Sequence, residues 1–506
     1  MTVVRIKEIN HLRKFSILLV EKPNGYRTRF FVTILLCVVL DIVSVAQTSQ
    51  WPRENPPPPL FAPKVEFPDY ELRQLNNGLQ VVIIESREQP VVNVRLLIRA
   101  GTSSDPTDKP GVAALAAQLL DQGTTGRTAQ EIAASIDNVG GFLSVGAGAD
   151  FSFINILVMN DRFNFALELL SDVTRYPAYL SSELDRQRQQ MLSGMQVNHE
   201  DPEYVANMIF ERLIYGSHPY GNPYAGTPES VRRITRMDLQ TFHKSHYLPN
   251  NAILAIVGDV SSEETFNGIV RALGDWERGD FQVSDPVDPP ISRQRLILVD
   301  KPGAVQTVVR VGHLALPRSH EDFLALDLAI KIFGGEGGNR LGSLLRTDKS
   351  LTYSASAELA GHQFSGSFMA KTETRSSATI EVLRLTVDEI SRLKRERVQR
   401  AELIDAQAYL AGHFPLTIET PDAIATLVLE ALLYGLDLDA IEKYAESINA
   451  MTINDIQRAA SNYLNPDSLS IVLVGDCSTF ADSLAGIGFD DYEIFSMSEL
   501  DLSDLN

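Results

Sequence analysis

The sequence is poor in cysteine and in basic residues. Only Cys37 and Cys477 occur among 506 residues, which excludes a fold held together by several disulfides. Lys and Arg number 45 against 65 Asp and Glu, and the formal net charge is -20. Because binding to phosphates needs clustered basic side chains, this balance disfavours a nucleic-acid partner and favours basic ligands. The hydrophobic content of 44% predicts well-cored domains, and the length predicts two to four of them.

The N-terminal region has only a short apolar run, residues 30–40 (FFVTILLCVVL). It is shorter than the ~20 residues that a membrane-spanning helix needs. Arg27 and Arg29 precede it and residues 44–46 (SVA) follow it, a pattern typical of a secretory signal peptide over residues 1–46. We therefore expect export to the periplasm or the extracellular space, with no stable membrane span after cleavage. A retained N-terminal anchor and a targeting presequence are the alternatives.

Proline-rich and acidic stretches divide the rest of the chain. Residues 47–68 include four consecutive prolines and predict an extended arm, since proline fixes φ and lacks a backbone donor. Residues 280–292 (DFQVSDPVDPPIS) have the composition of a surface linker. We accordingly predict an N-terminal lobe over residues 69–279 and a C-terminal lobe over residues 293–480. Residues 481–506 are predicted to be an acidic tail, and residues 493–506 are expected to be solvated or frayed.

An internal repeat relates the two predicted lobes. Tyr247 and Leu248 precede residues 252–259 (AILAIVGD), and a second Tyr-Leu pair precedes residues 469–476 (LSIVLVGD). Each copy has the pattern of a helix followed by a buried strand. With the strand and helix patterns between them, the copies predict an α+β fold of two homologous lobes, each a mostly antiparallel sheet flanked by helices.

Several glycine-containing motifs follow one another in the first half. They are residues 111–113 (GVA), 123–124 (GT), 138–141 (NVGG), 217–221 (SHPYG) and 226–230 (GTPES). Their order and spacing resemble the pitrilysin/insulinase-type zinc peptidases, in which the first two motifs frame the helix bearing the inverted zinc motif His-x-x-Glu-His. The resemblance extends from about residue 70 to 476. It is strongest to the branch of mitochondrial processing peptidase, in which two homologous subunits are paired.

The positions that carry zinc chemistry in that family hold other residues here. Ala114 stands where the family has its first His, Ala117 replaces the general-base Glu, and Gln118 replaces the second His. The remote Glu ligand of the family corresponds to Gly194. Catalytic zinc needs about three protein ligands, and water activation needs a base. The resemblance therefore implies a degenerate site with no metal in this chain, and zinc in a partner subunit.

The second half keeps a different signature. A glycine-rich turn at residues 334–338 opens a helix, Arg346 ends that helix, and Tyr353 lies seven residues further on. The resemblance implies that such an Arg and Tyr reach the substrate near a zinc site. A guanidinium can orient a peptide carbonyl or carboxylate, and a phenol can donate to a developing oxyanion. Taken alone, the two residues would be an ordinary surface ion and a half-buried phenol.

The sequence thus predicts a catalytically incomplete subunit that pairs with a zinc-bearing homologue and supplies Arg346 and Tyr353 to unfolded peptides. Within the family, peptides add a strand to a sheet edge, for which we expect residues 91–100. Two alternatives remain. One is a purely structural or binding subunit, and the other is a self-sufficient metallopeptidase with relocated ligands. A metal pair at His243 and His246 is disfavoured, and His218 is expected to be a structural turn residue.

Overall fold

The computed structural model describes residues 67–281, 288–291, 293–335 and 338–500. The predicted signal peptide, nearly all of the proline-rich arm and half of the predicted linker lie outside these residues. The strands are β1 Tyr70–Gln74, β2 Gln80–Glu85, β3 Val91–Ile98, β4 Phe142–Ala147, β5 Ser152–Met159, β6 Ala252–Gly258, β7 Arg295–Asp300, β8 Gln306–Ala315, β9 Ala355–Gly361, β10 Gly366–Arg375, β11 Ser470–Gly475 and β12 Glu493–Ser496.

Helices surround these strands, and several begin at a Thr or Asp side chain that caps the first turn. They are α1 Val112–Gln118, α2 Ala129–Asn138, α3 Phe163–Arg175, α4 Ser181–His199, α5 Pro202–Tyr215, α6 Pro228–Arg233, α7 Arg236–His246, α8 Ser262–Leu273, α9 Phe323–Gly334, α10 Arg340–Gly342, α11 Thr379–Arg395, α12 Arg400–His413, α13 Pro421–Leu433, α14 Asp439–Glu442, α15 Tyr444–Ala450 and α16 Ile453–Tyr463. Across the described ranges, every helix is too short or too polar to cross a bilayer.

The strands form two six-stranded sheets with matching strand orders. The first sheet has the order β1-β2-β6-β3-β5-β4, and the second has β12-β7-β11-β8-β10-β9. In the first, only β2 and β6 run parallel; in the second, β7 runs parallel to both β11 and β12. All other neighbours are antiparallel. This confirms the predicted α+β class of two mostly antiparallel sheets flanked by helices.

Each half of the chain covers one face of the other half's sheet. α5 packs on β8 and β11 of the second sheet, and α13 packs on β3 and β6 of the first sheet. Phe210 of α5 belongs to one apolar cluster with Val472, and Val428 of α13 to another with Val257. Because each half contributes a helix to the other half's sheet, both faces of β6 and β11 are covered, and both strands are buried at every position.

The C-terminal segment is packed over its described part, which corrects, as far as residue 500, the expectation that residues 493–506 of the acidic tail are solvated or frayed. β12 extends the second sheet by pairing with β7, and Arg295 forms an ion pair with Glu493 at 3.1 Å. Phe489, Met497 and Leu500 are buried. These apolar residues are spaced among acidic ones, so the composition of the segment does not reveal them. They cover the edge of β7 and part of α5.

β3 is a central strand, so the expectation that residues 91–100 form a peptide-binding edge is wrong. It lies between β6 and β5, and both of its backbone edges are paired. Val92, Val94 and Leu97 are buried, because helices cover both faces. The outermost strands of the first sheet are β1 and β4.

Candidate functional site

Helix α1, which carries three of the four degenerate zinc positions, is held at its start by a carboxylate. Asp105 accepts the backbone N–H groups of Gly111 at 2.6 Å and Ala113 at 2.7 Å. These bonds satisfy donors that a helix N-terminus otherwise leaves unpaired. Burial raises the pKa of Asp105 to about 7, although both N–H donors act in the opposite direction. The helix is therefore firmly placed.

The structure brings α1 next to α4, the two helices on which the degenerate positions lie. Ala114 and Ala117 are fully buried, Gln118 is partly buried, and Gly194 is exposed on α4. An added Cβ at Gly194 would meet no atom within 4 Å. Alanine and glycine have no side-chain lone pairs, and a single neutral amide is a poor zinc ligand. These residues do not fit a catalytic zinc ion.

Other metal donors do not converge elsewhere in the described part of the chain. No group of three or more His, Cys, Asp or Glu residues is arranged to hold a metal there. His243 bonds the carbonyl of Thr174 at 2.8 Å and stacks on Tyr247, and burial lowers its pKa to about 4. His246 packs against Phe242. Both histidines therefore belong to the packing of α7.

The SHPYG motif forms a buried turn. His218 is 2% exposed, and its Nδ1 accepts the backbone N–H of Tyr220 at 3.1 Å. This is the structural role expected for His218. Tyr220 in turn reaches the buried carboxylate of Asp150, which also contacts residues of the C-terminal half.

A groove lies at the edge of the first sheet, beyond the C-terminal end of α1. It encloses about 470 Å³ between the end of α1, α2 and β4, and its walls include Gln122, Ile136 and Phe142. β4 pairs with β5 on one side. Phe142 is 57% exposed. The edge of β4, rather than β3, is therefore the strand at which an extended peptide could add to this sheet.

Arg346 and Tyr353 lie together on the surface. The Arg346 guanidinium carbon is 5.1 Å from the centre of the Tyr353 ring, a cation–π contact. Tyr353 is 85% exposed, and Arg346 is also exposed. Arg346 forms no ion pair with another described residue. Both polar groups thus remain accessible to a bound molecule.

The backbone that presents this pair is irregular. Arg346 lies in a π-helical turn, Ser343–Asp348, that continues α10. Ser350, between the two residues, has φ +53, which is uncommon for a residue with a Cβ. π-turns and strained residues are concentrated at functional sites, and here they turn the chain so that Tyr353 returns beneath Arg346.

The two matching sheets, and a helix α1 in which Ala114 and Ala117 have no metal-binding atoms, define a class, a two-lobed fold of the metallopeptidase type that lacks a zinc ligand set at these positions. Residues 80–228 match the family described as Insulinase (Peptidase family M16), and residues 233–410 match the Peptidase M16 inactive domain. The chain therefore belongs to the M16 peptidase family, the pitrilysin/insulinase type indicated by its motifs.

Relatives of differing description match this chain. An uncharacterized zinc protease of Mycobacterium leprae is 25% identical over 394 residues, covering 77% of this chain and 88% of that protein. A Helicobacter pylori protein described as a non-peptidase homolog is 21% identical over 462 residues, covering 88% and 98%. The crystal structure of a peptidase M16 inactive domain from Pseudomonas fluorescens has a TM-score of 0.76 at 27% identity, covering 80% and 98%. Family membership alone therefore does not decide activity.

Sequence reasoning missed three features of these sites. Asp105 caps α1 from a loop whose other acidic residue, Asp108, looks equivalent in sequence. Asp150 reads as an ordinary turn residue after Gly148. The π-turn before Ser350 has no composition signal. All three depend on contacts that a local pattern does not contain.

Proposed function

We propose that this chain is the catalytically incomplete subunit of an exported M16-type peptidase. It pairs with a zinc-bearing homologue and presents Arg346 and Tyr353 to unfolded peptides held in the shared chamber. The observation that carries the proposal is the exposed, stacked Arg346–Tyr353 pair in a chain whose Ala114, Ala117 and Gly194 offer no metal donor.

The proposed chemistry is divided between the two subunits. This chain has neither zinc ligands nor a base at the corresponding positions, so activated water would have to come from a zinc ion held by the partner. The Arg346 fork would orient a peptide carbonyl or carboxylate, and the Tyr353 hydroxyl would donate to the oxyanion that develops at the scissile carbonyl. The groove at β4 supports strand addition of the peptide, which tolerates many sequences.

The test compares the purified chain, the zinc-bearing homologue and their mixture on an unstructured fluorogenic peptide. We expect activity in the mixture that clearly exceeds the sum of the separate proteins. Arg346→Ala and Tyr353→Phe should each lower kcat of the mixture about tenfold or more, since one oriented donor contributes at least that much. Tyr176→Phe is the matched control, because Arg175 lies 5.0 Å from the Tyr176 ring in the other half.

Three outcomes would contradict the proposal in different ways. A mixture no more active than the homologue alone would remove the accessory role. Full activity with both Arg346→Ala and Tyr353→Phe would favour a purely structural subunit. Chelator-sensitive hydrolysis by the isolated chain would show a self-sufficient peptidase with relocated ligands.

A further inference from the structure

A buried ion cluster lies at the start of residues 340–353, the segment that carries Arg346 and Tyr353. The guanidinium of Arg340 donates to both oxygens of Glu402, from Nε at 2.7 Å and from Nη2 at 2.8 Å. Its Nη1 lies 3.5 Å from Glu389. The side chains of Arg340 and Glu389 are 7% and 6% exposed. Arg340 thereby joins α10 to α11 and α12.

A gain in stability does not by itself explain why such a cluster is present. Removing a guanidinium and one carboxylate almost completely from water, and a second carboxylate in part, costs free energy that their attraction often only balances. Apolar residues of similar volume can replace buried ion pairs without loss. A bidentate guanidinium–carboxylate pair, by contrast, defines both distance and orientation. The cluster is thus better suited to fixing a geometry than to adding stability.

Three of the described positions shortly before Arg340 are glycines, which add little stiffness to the backbone. Gly334 and Gly335 end α9, and Gly338, at φ +98, lies two residues before Arg340. Glycine restricts the backbone least of all residues. At this end, the segment is held by the Arg340 cluster, by the Asn339 cap on the Gly342 N–H at 2.6 Å and by the burial of Leu341.

The other end of the segment is attached to the second sheet. Thr352 donates to the carbonyl of Glu373 at 2.5 Å, and Thr374 donates to the carbonyl of Leu351 at 2.8 Å. Tyr353 is therefore positioned by β10, whereas Arg346 is positioned by the helical turn that Arg340 begins. Arg346 can stack on Tyr353 only if both ends of the segment keep their positions relative to each other.

We propose that Arg340, clamped by Glu402 and Glu389, is a positioning residue that sets Arg346 over Tyr353. This inference rests on the proposed function for its effect on turnover, but the positioning itself does not need a partner subunit. Arg340→Lys keeps the charge and removes the fork, and Glu402→Gln removes one charge while keeping the shape.

The first measurement is hydrogen exchange of the full-length chain without a partner. We expect Arg340→Lys to raise exchange at least tenfold in residues 341–348, while exchange in β10 stays unchanged. The control is Arg384→Lys, because Arg384 forms an exposed ion pair with Asp388 at 3.0 Å on α11. Unchanged exchange in residues 341–348 for both Arg340→Lys and Glu402→Gln would overturn the proposal, whatever the activity of the mixture.

The second measurement is a double-mutant cycle in the active mixture. Arg340→Lys should lower kcat with KM nearly unchanged, and it should cause no further loss when Arg346 is already Ala. A loss of equal size in both backgrounds would indicate a general structural effect and would contradict positioning. Raised exchange in a mixture that lacks accessory activity would instead support the positioning and refute the proposed function.

Discussion

Asp150 is predicted to hold the two halves of the chain together. Its side chain is fully buried in the turn between β4 and β5. Oδ1 accepts the Tyr220 hydroxyl at 2.5 Å, and Oδ2 accepts the backbone N–H of Gln363 at 3.0 Å and the Tyr434 hydroxyl at 3.3 Å. Burial and the neighbouring carboxylate raise the pKa of both phenols, so both remain donors. Gln363 and Tyr434 belong to the C-terminal half.

The size of the effect follows from these three bonds. A hydrogen bond to a charged group contributes about 1.5–3 kcal/mol, and a buried donor left unpaired costs about 1–3 kcal/mol. The three donors share one carboxylate, so their contributions are not additive. We therefore expect Asp150→Ala to lower the free energy of unfolding by about 4 kcal/mol. Asp150→Asn keeps one acceptor oxygen and should cost about half as much.

The assay is urea unfolding of the full chain at pH 7, followed by tryptophan fluorescence and circular dichroism. Hydrogen exchange at residues 362–365 should rise in parallel, because this turn loses its partner. Asp161→Ala is the control, since Asp161 is exposed and, within the described part of the chain, forms an ion pair only with Arg162 at 3.5 Å; its effect should stay within about 0.5 kcal/mol. A loss below about 1 kcal/mol for Asp150→Ala would refute the reasoning and show that apolar packing alone holds the halves together.

Two further predictions concern the degenerate site and the pH dependence. Gly194→Ala should raise the free energy of unfolding by about 0.5–1 kcal/mol, because the position is helical and open and glycine is a poor helix former; a loss measured in urea would show a contact that the structure lacks. His243 has its pKa lowered to about 4 by burial, against about 6.5 when unfolded. Between these values only the unfolded chain takes up the proton, so stability should fall by about 3 kcal/mol as pH drops from 6.5 to 4. His243→Gln, which can still donate to Thr174, should flatten that slope in unfolding measurements across this range, and an unchanged slope would exclude His243 as its source.

Two features of the molecule could be predicted from local sequence. The paired helix–strand copies ending at Asp259 and Asp476 predicted two similar sheets, because burial imposes its own period on each element. Ala114, Ala117 and Gly194 have no side-chain atoms that could bind a metal. This follows from the residue types alone and could be predicted without a structure.

Only the tertiary structure decided which strand is an edge, what covers each sheet and which carboxylates are buried. The apolar pattern of β3 is the same for a central strand as for an edge, and its position depends on β6, more than 150 residues away. The acidic C-terminal segment became a strand because β7 has an edge that it can pair with. Asp150 and Arg340 derive their roles from donors and acceptors that lie from 49 to 284 residues away along the chain. Local sequence periodicity carries no information about contacts between residues so far apart in the chain. Only the tertiary structure shows which residues these contacts join.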